Sequence, residues 1–233
     1  MHDSDPEQQQ KDLKKVEMNW EDESKDLDGE ELKASTPEEA AFNGIREYVD
    51  SETIYKCIFY KTLEEFEKRG KFDFKGVPSN ILKTLPFHKY ENGHFYAGQV
   101  NPDTNKREGQ GIYVNAQANS IYEGYWLDDE YHGRGREIYS MRAVYEGEWQ
   151  NGKKHGKGIF ECLDGLKYEG DYVEGKCHGI GVMVEADGTR YEGQFKDSLM
   201  HGQGVMIYPN GDKKEGIWRN DEFIGDQDHD QDE

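Results

Sequence analysis

Apolar residues along this chain follow two rhythms. From about residue 36 to residue 69 they fall at helical spacing: Phe42, Ile45, Tyr48 and Val49, then Ile54, Tyr55, Ile58, Phe59, Leu63 and Phe66 along one face. Thr36-Pro37-Glu38-Glu39 supplies an N-cap hydroxyl, a proline at the first helical position and a glutamate at N3. Asp50-Ser51 offers a second cap and Gly70 a stop. The pattern predicts two short helices, the second over roughly residues 52–69, supported by Glu64/Lys68 and Glu65/Arg69 one turn apart. Two helices bury too little surface alone, so this segment is expected to dock on the first repeat or on another protein.

From about residue 85 the rhythm becomes alternation. Tyr145, Gly147 and Trp149 fall on one face of a predicted strand, and Glu146 and Glu148 on the other. Asn151–Gly156 reads as a glycine-rich polar turn. A second strand runs through Gly156, Gly158, Ile159, Phe160, Glu161 and Cys162, and Asp164-Gly165 reads as a tight two-residue turn into the next tyrosine. Asp187-Gly188 and Asn210-Gly211 hold the same place later. The prediction is a mainly β protein, an elongated open antiparallel ribbon with about two strands per unit.

The units recur. Tyr-Glu-Gly begins at Tyr122, Tyr145, Tyr168 and Tyr191, 23 residues apart, and a degenerate copy follows at Lys214-Glu215-Gly216. Tyr96-Ala97-Gly98 opens a looser copy 26 residues upstream of Tyr122, and Tyr90–Gly93 resembles a closing half unit. With strands ~4.8 Å apart, equivalent residues stand ~9.6 Å apart. Gly147, between two aromatics, leaves room for a ring of the neighbouring unit, so aromatics and glycines are expected to interlock into one seam. Each unit depends on its neighbours, as in solenoids. Lys214 suits an exposed edge strand, and the helices are expected to cover the opposite end.

Composition sharpens this. Only 33% of the 233 residues are hydrophobic, with 27 glycines and 15 tyrosines, a diet for a thin architecture. Of the formal charge of −20, residues 1–40 carry −9 and residues 226–233 carry −5, which leaves −6 between them. The expected organisation is a disordered acidic tail (1–35), a helical docking or capping segment (36–84), the repeat array (85–225) and a second acidic tail (226–233). With no basic excess in the folded part, nucleic acid is not expected as a ligand and membrane lipid is disfavoured. Three cysteines without CxxC spacing argue against a disulfide framework or a zinc site. No signal peptide, transit peptide or apolar run of ~20 residues is visible, so a soluble, intracellular, cytoplasmic protein is expected.

The chemistry-bearing residues follow the repeat. His132, His155, His178 and His201 stand too far apart for one metal ion, and their place before a glycine suits hydrogen bonding to backbone at a turn. Glu123, Glu146, Glu169 and Glu192 share the period and are expected on a solvated face. Cys177, next to His178, has no oxyanion site beside it. The terminal Asp226, Asp228, Asp230 and Asp232 lack an EF-hand loop's geometry. No nucleotide-binding, hydrolase or metalloprotease motif is present, so neither an enzyme nor a cofactor is expected. Tyr122, Trp126, Tyr145, Trp149, Tyr168, Tyr172, Tyr191 and Phe195 form the surface with enough apolar area for a partner; the alternative is that these rings are consumed in holding the ribbon together.

The phrase YEGxWxxGxxHGxGxxxxxxGxx resembles the MORN repeat (membrane occupation and recognition nexus), over roughly residues 85–225. The resemblance implies a twisted antiparallel ribbon with an aromatic-lined groove, and a scaffold role in cytoskeletal, ciliary or membrane-junction assemblies. The acidic flanks look similar to those of radial spoke head proteins of cilia. The expectation is a non-enzymatic protein-interaction subunit of a large assembly, ciliary (axonemal) or cytoskeletal, that binds protein subunits along the eight-residue groove. The alternatives are a phospholipid-binding membrane module and a regulatory subunit of an enzyme supplied in trans. Homodimerisation through exposed edges stays open.

Overall fold

The structure is a computed structural model that describes residues 62, 64–66, 68–70, 72–74, 83–140 and 143–226, with backbone alone at 83–87. The chain divides into two compact units, 1–34 and 35–233, and every described residue belongs to the second. Helical backbone occurs at 62, 64–66 and 68–69 and ends at Gly70, whose positive φ of 68° is the left-handed stop a C′ glycine supplies.

Thirteen strands then form one antiparallel sheet in strict chain order. They are β1 (Lys83–Lys89), β2 (Phe95–Val100), β3 (Arg107–Asn115), β4 (Ser120–Leu127), β5 (Glu130–Ile138), β6 (Val144–Gln150) and β7 (Lys153–Glu161). The meander continues through β8 (Lys167–Val173), β9 (Lys176–Val184), β10 (Arg190–Lys196), β11 (Leu199–Ile207), β12 (Lys213–Arg219) and β13 (Glu222–Gly225).

Two kinds of turn alternate, and both differ from the sequence expectation. The polar stretch Asn151–Gly156 is not all turn. Asn151 and Gly152 make a two-residue turn with both φ positive (50° and 73°), and β7 already begins at Lys153. Such turns match the twist of the flanking strands, and Glu174-Gly175, Asp197-Ser198 and Asn220-Asp221 repeat the conformation. The histidines therefore sit in strands rather than turns. At the other end, Asp164-Gly165 belongs to a three-residue loop: Gly165 N–H donates to the Cys162 carbonyl (3.1 Å) with φ 100°. Asp164 Oδ1 accepts from Leu166 N–H (3.2 Å), and Asp187 and Asn210 do the same two residues on. This side-chain turn explains the aspartate or asparagine before each glycine.

Each hairpin that opens with a tyrosine carries a bulge, of two residues in all but the first, and in four of the five one side chain closes it. The backbone N–H between the paired glycines donates to the fourth residue of the repeat: Gln110 to Gln99 (2.9 Å), Lys157 to Glu148 (3.2 Å), Ile180 to Asp171 (3.0 Å) and Gln203 to Gln194 (2.9 Å). The edge expectation for Lys214 is met in part. Lys214 lies in β12, which is not the last strand, although β13 pairs only with Ile217–Arg219 and leaves the Lys214 half of β12 uncovered.

The seam contains a further difference. The ring that fills the space at Gly147 is Tyr145 of the same unit, not a neighbour's. It lies flat along its own strand over Gly147 and its partner Gly158, where an added Cβ would stand 2.5 Å from Tyr145 ring atoms. Gly158→Ala is accordingly expected to cost about 1–3 kcal/mol, the range for overpacking. Urea unfolding measures it, and a midpoint equal to the native one would mean the ring yields freely.

Candidate interaction surfaces

Alternation gives the sheet two faces with different contents. On the first, every repeat tyrosine donates its hydroxyl hydrogen to the carbonyl three residues ahead: Tyr96 to Gln99 (2.6 Å), Tyr122 to Tyr125 (2.9 Å), Tyr145 to Glu148 (2.9 Å), Tyr168 to Asp171 (3.0 Å) and Tyr191 to Gln194 (3.1 Å). From Tyr122 on, each ring meets an aromatic of its own unit and one of the next edge-on, while Tyr96, with Val100 in its own unit, meets Trp126 of the next. Tyr145 stands 5.1 Å from both Trp149 and Tyr172, and the chain of rings runs from Tyr96 to Trp218. Trp149 Nε1–H donates back to the Gly135 carbonyl (3.2 Å), which ties adjacent units together.

A variable residue caps each tyrosine from above. Tyr131 stacks on Tyr122 at 3.7 Å, and the Lys154 ammonium lies 4.8 Å over Tyr145, with Phe160 and Tyr139 closing around it. Cys177 and Met200 hold the same register in the next two units. All eight predicted groove residues belong to this one cluster, and none is more than 5% exposed. They make the interior of the sheet face. The half-buried rim packed against them includes Tyr113, Tyr139, Phe160, Met183 and Tyr208.

Burial dominates the electrostatics here. It pushes the Glu137 carboxyl up, against hydrogen bonds from Tyr139 and Ser120, and it pushes the Lys154 ammonium down, against the pull of Glu137. Because the folded Glu137 holds its proton more tightly than the unfolded chain, stability falls as pH rises from about 4.3, the unfolded value, to the raised folded value. Glu137→Gln is expected to flatten that part of a melting-temperature against pH curve, and an unchanged slope would count against the assignment. Burial also raises both described thiols, Cys162 and Cys177, which leaves neither poised as a nucleophile. Cys57 lies outside the described residues.

The second face is divided. Over β2–β6, Phe66 packs with Phe95, Ala97, Ile112, Val114, Ile121, Ile138 and Val144. Within that half, Glu123 is 1% exposed and accepts from Arg136 Nε (2.9 Å) and Nη2 (2.5 Å); Arg136 Nη2 also donates to the Gly70 carbonyl (2.6 Å). This corrects the expectation of a solvated glutamate face: Glu169 and Glu192 are exposed and Glu146 half-buried, but segment 62–74 roofs Glu123. Tyr125 donates its hydroxyl hydrogen to the Phe74 carbonyl, and Phe74 meets its ring edge-on at 5.9 Å. The segment's described contacts thus include Phe95 and Ala97 of the first repeat, where docking was expected, but extend across the flat of the sheet as far as β7 rather than capping its end. Of the docking-helix residues, Phe66 is buried there, while Ile54, Tyr55, Ile58, Phe59 and Leu63 lie outside the described residues.

The roof ends where Arg69 bridges Glu65 (2.8 Å) and Glu161 (3.0 Å). A cleft of about 330 Å³ opens there, lined by Lys68, Arg69, Leu163, Leu166 and Lys167 among others. Beyond it the same face is open, with Ile159 36% and Ile180 57% exposed. The histidines stand on this face too. The Nδ1 atoms of His132, His155 and His201 are buried without a hydrogen-bond partner, so the backbone bonds expected for them are not made through that nitrogen. Among the described residues, no group of three or more His, Cys, Asp or Glu could hold a metal ion. No described helix is long and apolar enough to cross a membrane.

The model of one family, the MORN repeat, matches residues 122–143, 145–167, 168–190 and 191–213. The chain carries four MORN repeats. No curated protein matches the sequence. Among solved structures, the TCP domain of Drosophila melanogaster SAS-4, in complex with a proline-rich motif of Ana2, shares 15% identity at a TM-score of 0.33, over 64% of this chain and 98% of that one. The TCP10 domain of Danio rerio CPAP, in complex with a STIL peptide, shares 15% at 0.20, over 60% and 84%. A virginiamycin B lyase from Staphylococcus aureus shares 7% at 0.16, over 56% and 68%. At these levels the likenesses say nothing about partners.

Within the MORN array, the residues that sequence reasoning passed over are Tyr125 and Arg136. Both depart from the repeat. Tyr125 stands where other units carry the bulge-closing Gln99, Glu148, Asp171 or Gln194, and Arg136 stands where they carry Ile112, Ile159, Val182 or Val205. Each departure serves segment 62–74, so the aligned units held a signal for where that segment docks.

Proposed function

We propose that this chain is a non-enzymatic scaffold, a protein-interaction subunit of a larger assembly, whose MORN sheet is a platform for partner segments. One observation carries the reading: described residues between 62 and 74 already roof the second face over β2–β6, while the same face continues open over β7–β12. A surface built to receive a segment is used once within the chain and left available beyond it. On the first face the aromatic groove takes a narrower form. Its eight rings are the foundation, and the half-buried rim from Tyr113 to Tyr208 is the contact zone. A place in a cilium, as an axonemal or radial-spoke-like subunit, or in the cytoskeleton, belongs to this proposal and rests on the resemblance of the acidic flanks.

Purification of the tagged full chain from native cells tests the reading. The expected result is a constant set of co-purifying protein subunits that survives detergent, with the tagged chain localised to the same structure. A chain that purifies alone and instead sediments with anionic vesicles in ~0.15 M salt, where screening acts beyond ~8 Å, would overturn it.

A further inference from the structure

We infer that the open half of the second face is a docking site for a basic amphipathic segment of another protein, centred on Ile180 and Glu169; this rests on the scaffold reading above. A single row of side chains crosses this face. In register it runs Ala97, Ile112, Glu123, Arg136, Glu146, and then Ile159, Glu169, Val182, Glu192, Val205, Glu215. In the roofed half the buried glutamate, Glu123, is neutralised by a cation in the sheet itself, Arg136, and the apolar members are covered by Phe66. In the open half every position equivalent to Arg136 holds isoleucine or valine. Glutamates and branched apolar residues simply alternate there, with no cation in the row.

The charges in the open half are only partly met. Arg190 reaches Glu192 (2.6 Å). The side chains of Glu169 and Glu215 make no hydrogen bond or ion pair among the described residues. A cover for this half must therefore bring its own cations along with its apolar groups, spaced to meet glutamates ~9.6 Å apart. A guanidinium, whose planar fork matches a carboxylate bidentately, suits these positions best.

Ile180 points to the same place independently. Between its paired glycines each other unit carries a polar residue: Gln110, Arg134, Lys157 and Gln203. Here alone stands an isoleucine, 57% exposed, on the face that carries Val182 and Glu169. In the roofed half, departures from the repeat mark the residues that hold the covering segment. By the same logic Ile180 marks a contact whose other side lies outside the chain. The face also continues directly from the existing roof, past the cleft at Arg69 and Leu166. Charge decides against other occupants. The termini of this chain are acidic, and a second copy would set one glutamate row against another.

The test is selection of a random peptide library on the full chain, counter-selected on the full chain bearing Ile180→Gln and Glu169→Lys. The expected peptides interleave arginine or lysine with leucine, isoleucine or phenylalanine. In fluorescence-anisotropy titrations each single substitution is expected to weaken their binding by about tenfold or more, the loss typical of a hot-spot residue, with the melting temperature unchanged. Peptides that bind wild type and variants alike, or that are acidic, overturn the inference and leave the scaffold reading standing. So does a library that yields nothing while native purification still returns subunits; when both come back empty, the scaffold reading falls too. Conversion of a dimer to a monomer by Ile180→Gln, seen by sedimentation, would make the occupant a second copy and overturn the inference as stated.

Discussion

Tyr145→Ala is expected to destabilise the centre of the array by about 3–5 kcal/mol, the cost of deleting a buried aromatic. The ring is fully buried and touched on every side. Below it lie Gly147 and Gly158, Trp149 and Tyr172 abut its edges at 5.1 Å, Lys154 lies 4.8 Å above, and the hydroxyl holds the Glu148 carbonyl at 2.9 Å. The hole left by alanine cannot close from beneath, because the two glycines have no side chains to move. Tyr145→Phe keeps the ring and loses one hydrogen bond, worth about 1 kcal/mol. Stability in a repeat array passes between neighbours, so Tyr145→Ala should also split urea unfolding, followed by tryptophan fluorescence, into two transitions. A single transition with a loss near that of Tyr145→Phe would show that the ring is not the keystone described.

Arg136→Met is the second large effect. Glu123 is roofed and almost without solvent, and its carboxylate is held by Arg136 through Nε and Nη2. Removing the cation alone strands a buried negative charge, which costs about 3–5 kcal/mol, whereas replacing both partners by apolar residues of similar volume is often neutral or stabilising. Arg136→Met is therefore expected to fall in that range and Glu123→Leu with Arg136→Met to recover most of it. Because Arg136 also donates to the Gly70 carbonyl, the single variant should loosen segment 62–74 as well. Faster amide exchange or proteolysis there, with β8–β12 unchanged, is the signature. Equal losses in the single and double variants would show that the pair is not what makes Glu123 costly.

Both effects arise from residues the repeat makes conspicuous, but to different degrees. Tyr145 could be placed on one face with Gly147 and Trp149 from alternation alone, since strand geometry puts every second residue on the same side. What alternation left open was which ring fills the glycine gap. Only the paired register of Gly147 with Gly158, and the bond to the Glu148 carbonyl, lay Tyr145 along its own strand. Likewise the glycine before each tyrosine announced a turn, but whether the loop held two residues or three depended on which carbonyl the Gly165 N–H could reach.

The eight aromatic residues were legible as a set and their role was not. A sequence cannot say whether a ring faces solvent or the next unit, because exposure depends on residues that are distant in the chain: the cap at Lys154, the tryptophan one unit on, the backbone of a partner strand. The same holds for Glu123. Its period matched that of Glu169 and Glu192, yet a segment about 50 to 60 residues upstream buries it and leaves them open.

The sequence by itself determined the period of 23, the two-strand unit, the meander and the separation of an aromatic face from a charged one, because these follow from local alternation and turn chemistry. Tertiary structure alone decided which half of the second face is covered, since that depends on where residues 62–74 come to rest. The departures Tyr125, Arg136 and Ile180 were visible from the start. They acquired meaning only when a partner was seen lying against the first two.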